Sequence, residues 1–298
     1  MKGVNMKAEK FNKILNYVMI VILIALWGCI FFIHGIAGAM AWTLVKLFIA
    51  PIGVILMFVN LILLFICLVK KKKVTQKIIS LVLSIFFAFP ILMLFNVLKV
   101  KYPANINKAT PSIKVRWPLN EKTFVGWGGD RVETNTPHAI WASERWAYDL
   151  VIEPANINSK SLKDYGIYDK DVVAPISGTV VAAYDEENDI LPNTEEFISM
   201  EGNHVYIKID ETGTFLLLNH LKKGSVPVKV GDHVKEGEVI GKVGNSGSTS
   251  EPHLHIHHQR QDPTKTIHPT FAEGLPLYFK DIHGKAMPEK GAIITPKK

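Results

Sequence analysis

A chain of 298 residues has room for a membrane segment and one medium globular domain, and its formal charge of +7 invites a polyanion-binding reading. Divided by region, the charge tells against that reading: residues 1–103 carry 12 lysines and one acid, Glu9, while the remainder carries 22 lysines and arginines against 26 acids. The basic character belongs to the apolar third, and the mildly acidic remainder lacks the footprint of a nucleic-acid partner.

In chain order, three apolar runs come first, at about 17–37, 47–69 and 78–98. Each has the length that crosses a hydrocarbon core as a helix, so residues 1–101 are expected to anchor the chain in a lipid bilayer through three transmembrane helices. The first run follows a basic stretch but exceeds the core of a cleaved leader, and two more spans follow it, so it is expected to be retained. Lysines set the direction. Lys2, Lys7, Lys10 and Lys13 precede the first run, and Lys70, Lys71, Lys72, Lys73 and Lys77 lie between the second and third. The connection near 38–46 has only Lys46. This distribution places the N-terminus in the cytoplasm and everything after about residue 100 outside, in a multi-pass protein of the cell membrane. His34, Asn60, Ser80, Ser84 and Asn96 lie in these runs without forming a chain of ionisable groups, which fits helix–helix contacts rather than transport. Both cysteines, Cys29 and Cys67, are also here. The rest of the chain therefore has neither disulfides nor a thiolate metal site.

Residues 102–114 read as a polar linker with Pro103 and Pro111, and residues 115–298 as an extracytoplasmic domain of short strands. Residues 172–181 read as strand, turn, strand; 203–209 alternate; 215–221 form another strand; and glycines at 224, 231, 237, 241, 244 and 247 punctuate brief Val/Ile runs. Turns this closely spaced predict an all-β domain of short antiparallel strands, a barrel or a sandwich, with no useful helical period after residue 104. Residues 154–171 and 185–199 interrupt the rhythm and read as surface loops.

Ten of the eleven histidines lie after residue 130, and His253-Leu254-His255-Ile256-His257-His258 is the densest group. On a strand, His253, His255 and His257 share one face, a spacing that offers two imidazoles to one metal or one to a metal and one to a substrate.

Context sharpens this pattern. Gly241-Lys242-Val243-Gly244-Asn245-Ser246-Gly247 followed by Pro252-His253-Leu254-His255 resembles the C-terminal signature of lysostaphin-type (LytM-type) zinc endopeptidases. Asn219-His220-Leu221 resembles that family's segment carrying another active-site histidine, residues 228–240 its connecting hairpins, and residues 173–180 its first hairpin. The resemblance spans about 145–258, the core of the domain. It implies a duplicated-hybrid-motif-like β fold, one zinc ion, and peptidoglycan cross-link or stem peptides as substrate. Residue by residue, it implies that His255 and Asp149 ligate zinc, that His253 faces substrate beside the metal, and that His220 orients or activates the water. A histidine is expected four residues before Asp149, where this chain has Arg145. A guanidinium has no lone pair to donate. Two readings stay open: His138 supplies the third ligand from a loop-like stretch at 133–138, or the site is degenerate and the domain binds the wall, or regulates, without cutting. A biotinyl- or lipoyl-type carrier would need a lysine at a tight hairpin tip, which is missing. His204, His233, His268 and His283 read as structural or surface residues, His257 as floor of the site or packing, and His258 as facing the other way. Oligomeric state leaves no signal in the sequence.

Overall fold

A computed structural model of the chain describes residues 2–297. It divides into two compact units, Met1–Pro103 and Ala104–Lys298.

The first unit is helical. Helix α1 (Lys2–Gly28) runs into a π-helical turn at Cys29–Ile33; α2 (Gly35–Leu44), a second π turn (Val45–Ile49) and α3 (Ala50–Val69) follow without a break; α4 (Thr75–Ala88) and the short α5 (Ile91–Leu94) end the unit. Among the described residues, three stretches are long and apolar enough to cross a membrane: Glu9–Ile33, Gly35–Val69 and Thr75–Leu94. The connection expected at 38–46 is thus helical. The chain turns earlier, at His34 (φ 58°) and Gly35 (φ 57°), both in the left-handed region that stops a helix. Lys46, expected in that loop, is buried. The third run ends short of residue 98 because α4 stops ahead of Pro90, which has no amide hydrogen to continue the ladder. Small and polar residues set the helix contacts. A Cβ on Gly53 would lie 2.3 Å from the Ala88 nitrogen, so α3 and α4 touch there backbone to backbone. Asn60 Nδ2 donates to Ser84 Oγ at 2.9 Å, and Ser80 Oγ donates to Asn16 Oδ1 at 2.7 Å. These hydrogen bonds occupy Asn60, Ser80 and Ser84, three of the polar groups seen inside the apolar runs.

The second unit is built from β1 (Ile113–Val115), β2 (Thr123–Trp127), helix α6 (Val132–Ala139), β3 (Tyr148–Val151), β4 (Asp171–Val173), β5 (Gly178–Tyr184), β6 (Asn203–Ile209), β7 (Phe215–Leu221), β8 (His233–Val234), β9 (Val239–Lys242), β10 (Leu254–Gln259), β11 (Gly274–Leu275), β12 (Leu277–Phe279) and β13 (Ile293–Ile294). The main sheet has the order β13-β2-β3-β10-β7-β6-β5-β8, with β11 beside β10. Its pairings are antiparallel. Two ribbons accompany it, antiparallel β4–β9 and parallel β1–β12. One face of the sheet (Val125, Leu150, Val205, Leu216, Leu218, Ile256) packs on Val172 and Ile240 of one ribbon and Leu277 and Phe279 of the other. Two expectations change. The stretch 172–181 is strand, turn, strand, but β4 and β5 pair with β9 and β8 rather than with each other. The domain also contains α6, which sequence periodicity misses because Asn135 and Pro137 interrupt it and no apolar stripe marks it.

Candidate metal centre and active site

The central strand β10 alternates as its sequence demands. Leu254 and Ile256 enter the core, and His255, His257 and Gln259 line the opposite face, which is also buried. Antiparallel register sets His255 across from Asp149 on β3 and from Asn219 on β7. Cross-strand neighbours of this kind lie close enough for side-chain contact, and His255 Nδ1 is 3.0 Å from Asp149 Oδ1.

His220 breaks the alternation of β7. Leu216 and Leu218 point into the core, and a regular strand would send His220 after them. Its backbone instead adopts φ 63°, a conformation that costs a non-glycine residue about 1–3 kcal/mol. The ring reaches the cleft, with its centroid 4.7 Å from that of His253 and 5.9 Å from that of His255. The Gly244–Gly247 turn holds it there: His220 Nδ1 donates to the Ser246 carbonyl at 2.8 Å. Ser246 Oγ is itself fixed between the Leu221 carbonyl and the Asn203 amide, and Gly202 packs on Ser246 so closely that any Cβ would clash. His253 Nδ1 donates to the Glu251 carbonyl at 2.9 Å, and its Nε2 is 3.5 Å from Asp149 Oδ1.

His138 comes from α6, not from a loop. Asn135, with non-helical φ −145° and ψ 37°, kinks the helix and turns His138 inward, where its Nε2 is 3.3 Å from Asp149 Oδ1. The five residues expected from sequence (His138, Asp149, His220, His253 and His255) therefore line one cleft of about 370 Å³, together with Trp127 and Glu144. Arg145 is elsewhere. It is fully buried, and its Nη2 donates to the Asp130 carboxylate at 2.8 Å and carbonyl at 3.0 Å, with the guanidinium over the Trp146 ring.

The donor set fits a divalent metal. One ligand atom from each of His138, Asp149 and His255 lies within 4.8 Å of the other two. The two nitrogen–oxygen separations, 3.3 and 3.0 Å, are near the edge of a tetrahedron with zinc-type bonds, about 3.3 Å. A second grouping, Glu144 with His255 and His257, shares His255. There, however, a hydrogen bond of 2.9 Å already joins His255 Nε2 to His257 Nδ1. Electrostatics agree with a centre that wants positive charge. Burial disfavours the His138 cation, yet Asp149, helped by Glu144, raises its pKa above 6.5. Burial also works against the Asp149 carboxylate, but His138 and His253 hold it well below the usual range. His220 goes the other way: burial first, then His253 and His255, push it well below 6.5, so it is neutral near pH 7.

Sequence reasoning passed over Trp127, Asn135, Glu144 and Gln259. Trp127 reaches the cleft through a bulge in β2 that pairs it with Asp149. Glu144 and Gln259 had a readable signal in their nearness to Asp149 and the histidine strand; Asn135 had none.

The model of Peptidase family M23 matches residues 164–267. The chain is 35% identical over 85 residues to the peptidoglycan DD-endopeptidase ShyC of Vibrio cholerae serotype O1, covering 28% of this chain and 18% of that protein. It is 30% identical over 115 residues to an endolysin of Staphylococcus phage 2638A, covering 38% and 21%. The chain thus spans about a fifth of the length of these curated relatives. The lysostaphin catalytic domain of Staphylococcus simulans is similar at 21% identity and a TM-score of 0.31, over 52% of this chain and 89% of that one. Residues 164–267 form a Peptidase family M23 domain; that segment contains His220, His253 and His255, whereas His138 and Asp149 lie upstream of it.

Proposed function

We propose that this chain is a membrane-anchored, zinc-dependent endopeptidase that hydrolyses peptide bonds in the cross-links or stems of peptidoglycan. The observation that carries the proposal is the convergence of His138, Asp149 and His255 on one point, with His220 and His253 beside it. His138 Nε2, Asp149 Oδ1 and His255 Nδ1 would hold zinc, leaving a position for water and for the scissile carbonyl. When bound, zinc supplies Lewis acidity: it lowers the pKa of the water and polarises the carbonyl. The chain's own residues do the rest. With its Nδ1–H held by Ser246, neutral His220 has its Nε2 lone pair free to take a proton from the attacking water. The Nε2–H so formed can donate to the developing oxyanion and then deliver the proton to the leaving amine. His253, pinned by Glu251, borders the same space and orients substrate. In this reading the lysines flanking the apolar helices keep the N-terminus in the cytoplasm, and the domain works in the wall zone next to the membrane.

The test is metal analysis of the purified full chain in detergent, followed by incubation with peptidoglycan and mass spectrometry of the released peptides. One zinc per chain and new amino termini are expected, both lost in His255→Ala. A chain that holds zinc and binds peptidoglycan but releases no peptide overturns the enzymatic reading in favour of a wall-binding domain. A chain that takes up no zinc overturns the metal centre.

A further inference from the structure

We propose that Asn135 and, acting through His257, Gln259 are positioning residues that select which nitrogen of His138 and of His255 presents a lone pair to the metal. This rests on the metal centre argued above. It adds which residues fix the assignment made there, His138 through Nε2 and His255 through Nδ1.

The assignment follows from counting donors. Asn135 Nδ2 gives its hydrogens to two backbone carbonyls, those of Gly129 and Ala147, each at 3.0 Å. Its Oδ1 can then only accept. That oxygen is 2.8 Å from His138 Nδ1, so Nδ1 carries the proton and Nε2, the atom facing Asp149, keeps its lone pair. Asn135 is fully buried, and the kink in α6 at this residue turns its amide toward both carbonyls.

The second chain of donors runs along one face of β10, where period-two spacing lines up residues 255, 257 and 259. Gln259 Nε2 donates to the Gln261 carbonyl at 2.7 Å, which aims its Oε1 at His257 Nε2, 3.2 Å away. That oxygen accepts, so His257 Nε2 carries the proton and His257 Nδ1 is bare. His257 Nδ1 therefore accepts from His255 Nε2–H at 2.9 Å, and His255 Nδ1 is left with its lone pair 3.0 Å from Asp149 Oδ1. Reversing the Gln259 amide would set oxygen against the oxygen of Gln261. Both relays start at backbone carbonyls and end at the same carboxylate, with opposite nitrogens chosen because the rings approach from different elements.

The experiment uses the full chain in detergent with ¹⁵N-labelled histidine, loaded with zinc, and reads ring-nitrogen shifts together with zinc affinity by chelator competition. The expected spectrum has one ligand imidazole bound through Nε2 and the other through Nδ1. His257→Phe and Asn135→Leu are each expected to weaken zinc binding by about 10–100-fold, the range for loss of an outer-shell partner. His257→Glu, which returns an acceptor for His255 Nε2–H, should recover most of that loss, a rescue that a packing role alone would not give. Ligation of both rings through the same type of nitrogen, or wild-type zinc affinity in a folded His257→Phe, overturns the inference while leaving the metal centre standing. The wild-type spectrum decides even if Asn135→Leu fails to fold. A wild-type chain without zinc removes the metal centre and this inference with it.

Discussion

The two sides of the site are built by different means. On one side Asp149, Asn219 and His255 sit abreast on β3, β7 and β10, fixed by antiparallel register and by a core on the opposite face of the same strands. On the other, His138 hangs from an eight-residue helix whose bend is held by one buried amide. The strand side places its candidate ligands by periodicity, so their spacing in sequence is informative. The helix side places its candidate ligand by a local kink, so a spacing rule misses it. On the proposed reading, a ligand position in space is filled from a new place in the chain, with Asn135 as the hydrogen-bonded staple that makes up for the missing register.

Removing ligands gives the largest effects and asks whether the two sides are equal partners. Asp149→Ala should eliminate bound zinc and activity, since both candidate imidazole ligands face that carboxylate. His138→Ala should weaken zinc by more than about 100-fold, beyond the range for an outer-shell change, if the helix side contributes a true ligand. Chelator competition measures both, and unchanged zinc affinity in His138→Ala would reduce the helix side to a lid. His220→Gln comes next: zinc is expected to stay and turnover to fall about 10²–10⁴-fold, the usual contribution of a positioned base. Because the His220 pKa is pushed well below 6.5, its base form should persist on the acid side of that value. Activity that declines with an ordinary imidazole pKa under zinc-saturating conditions would contradict this.

Much of the strand side was legible. The alternation of 253, 255 and 257 and the turn at Gly244–Gly247 carry their geometry in residue type and spacing, and the segment at His220 was legible through its resemblance to the lysostaphin-type pattern. What was hidden is how His220 reaches the site, because the positive φ that turns it out of the core is a tertiary constraint without a glycine to announce it. On the helix side, His138 was visible as the nearest upstream imidazole, but the segment read as a loop because Asn135 and Pro137 mask an eight-residue helix. The apolar runs were legible in number but not in their ends: composition does not mark a helix that continues through π turns across Lys46.

Arg145 sharpens the comparison from the position where a ligand was expected and is absent. Its charge is buried and paired with Asp130 through a bond of 2.8 Å, and Trp146 Nε1 donates to the same carboxylate. Arg145→Met should cost about 1.5–3 kcal/mol of stability, the range for a lost hydrogen bond to a charged group, since Asp130 keeps contact with solvent, and leave zinc stoichiometry unchanged. Arg145→His is expected to lose similar stability without restoring zinc to a His138→Ala chain. Denaturant unfolding and zinc content read the two effects separately. Recovery of zinc in the double variant would mean that residue 145 can reach the site, and the contrast between the two sides would collapse.

The smallest expected effect lies on the strand side, on the face of β10 turned away from the site. His258 is buried, with its Nδ1 donating to the Pro276 carbonyl at 3.2 Å and its Nε2 accepting from Thr214 Oγ1 at 2.7 Å. Burial first, with Arg260 adding to it, lowers its pKa from 6.5 to about 4. A histidine with a depressed pKa binds fewer protons folded than unfolded between those values. Its contribution to stability is therefore fully present above about pH 6.5 and is lost as the pH falls toward about 4. Between about pH 7 and about pH 5 this amounts to about 2 kcal/mol. His258→Gln should remove that part of the pH dependence without changing zinc content, so wild type and variant should converge as the pH drops. Parallel stability curves across that range would show that the pH sensitivity of the strand side resides instead in the histidines facing the metal.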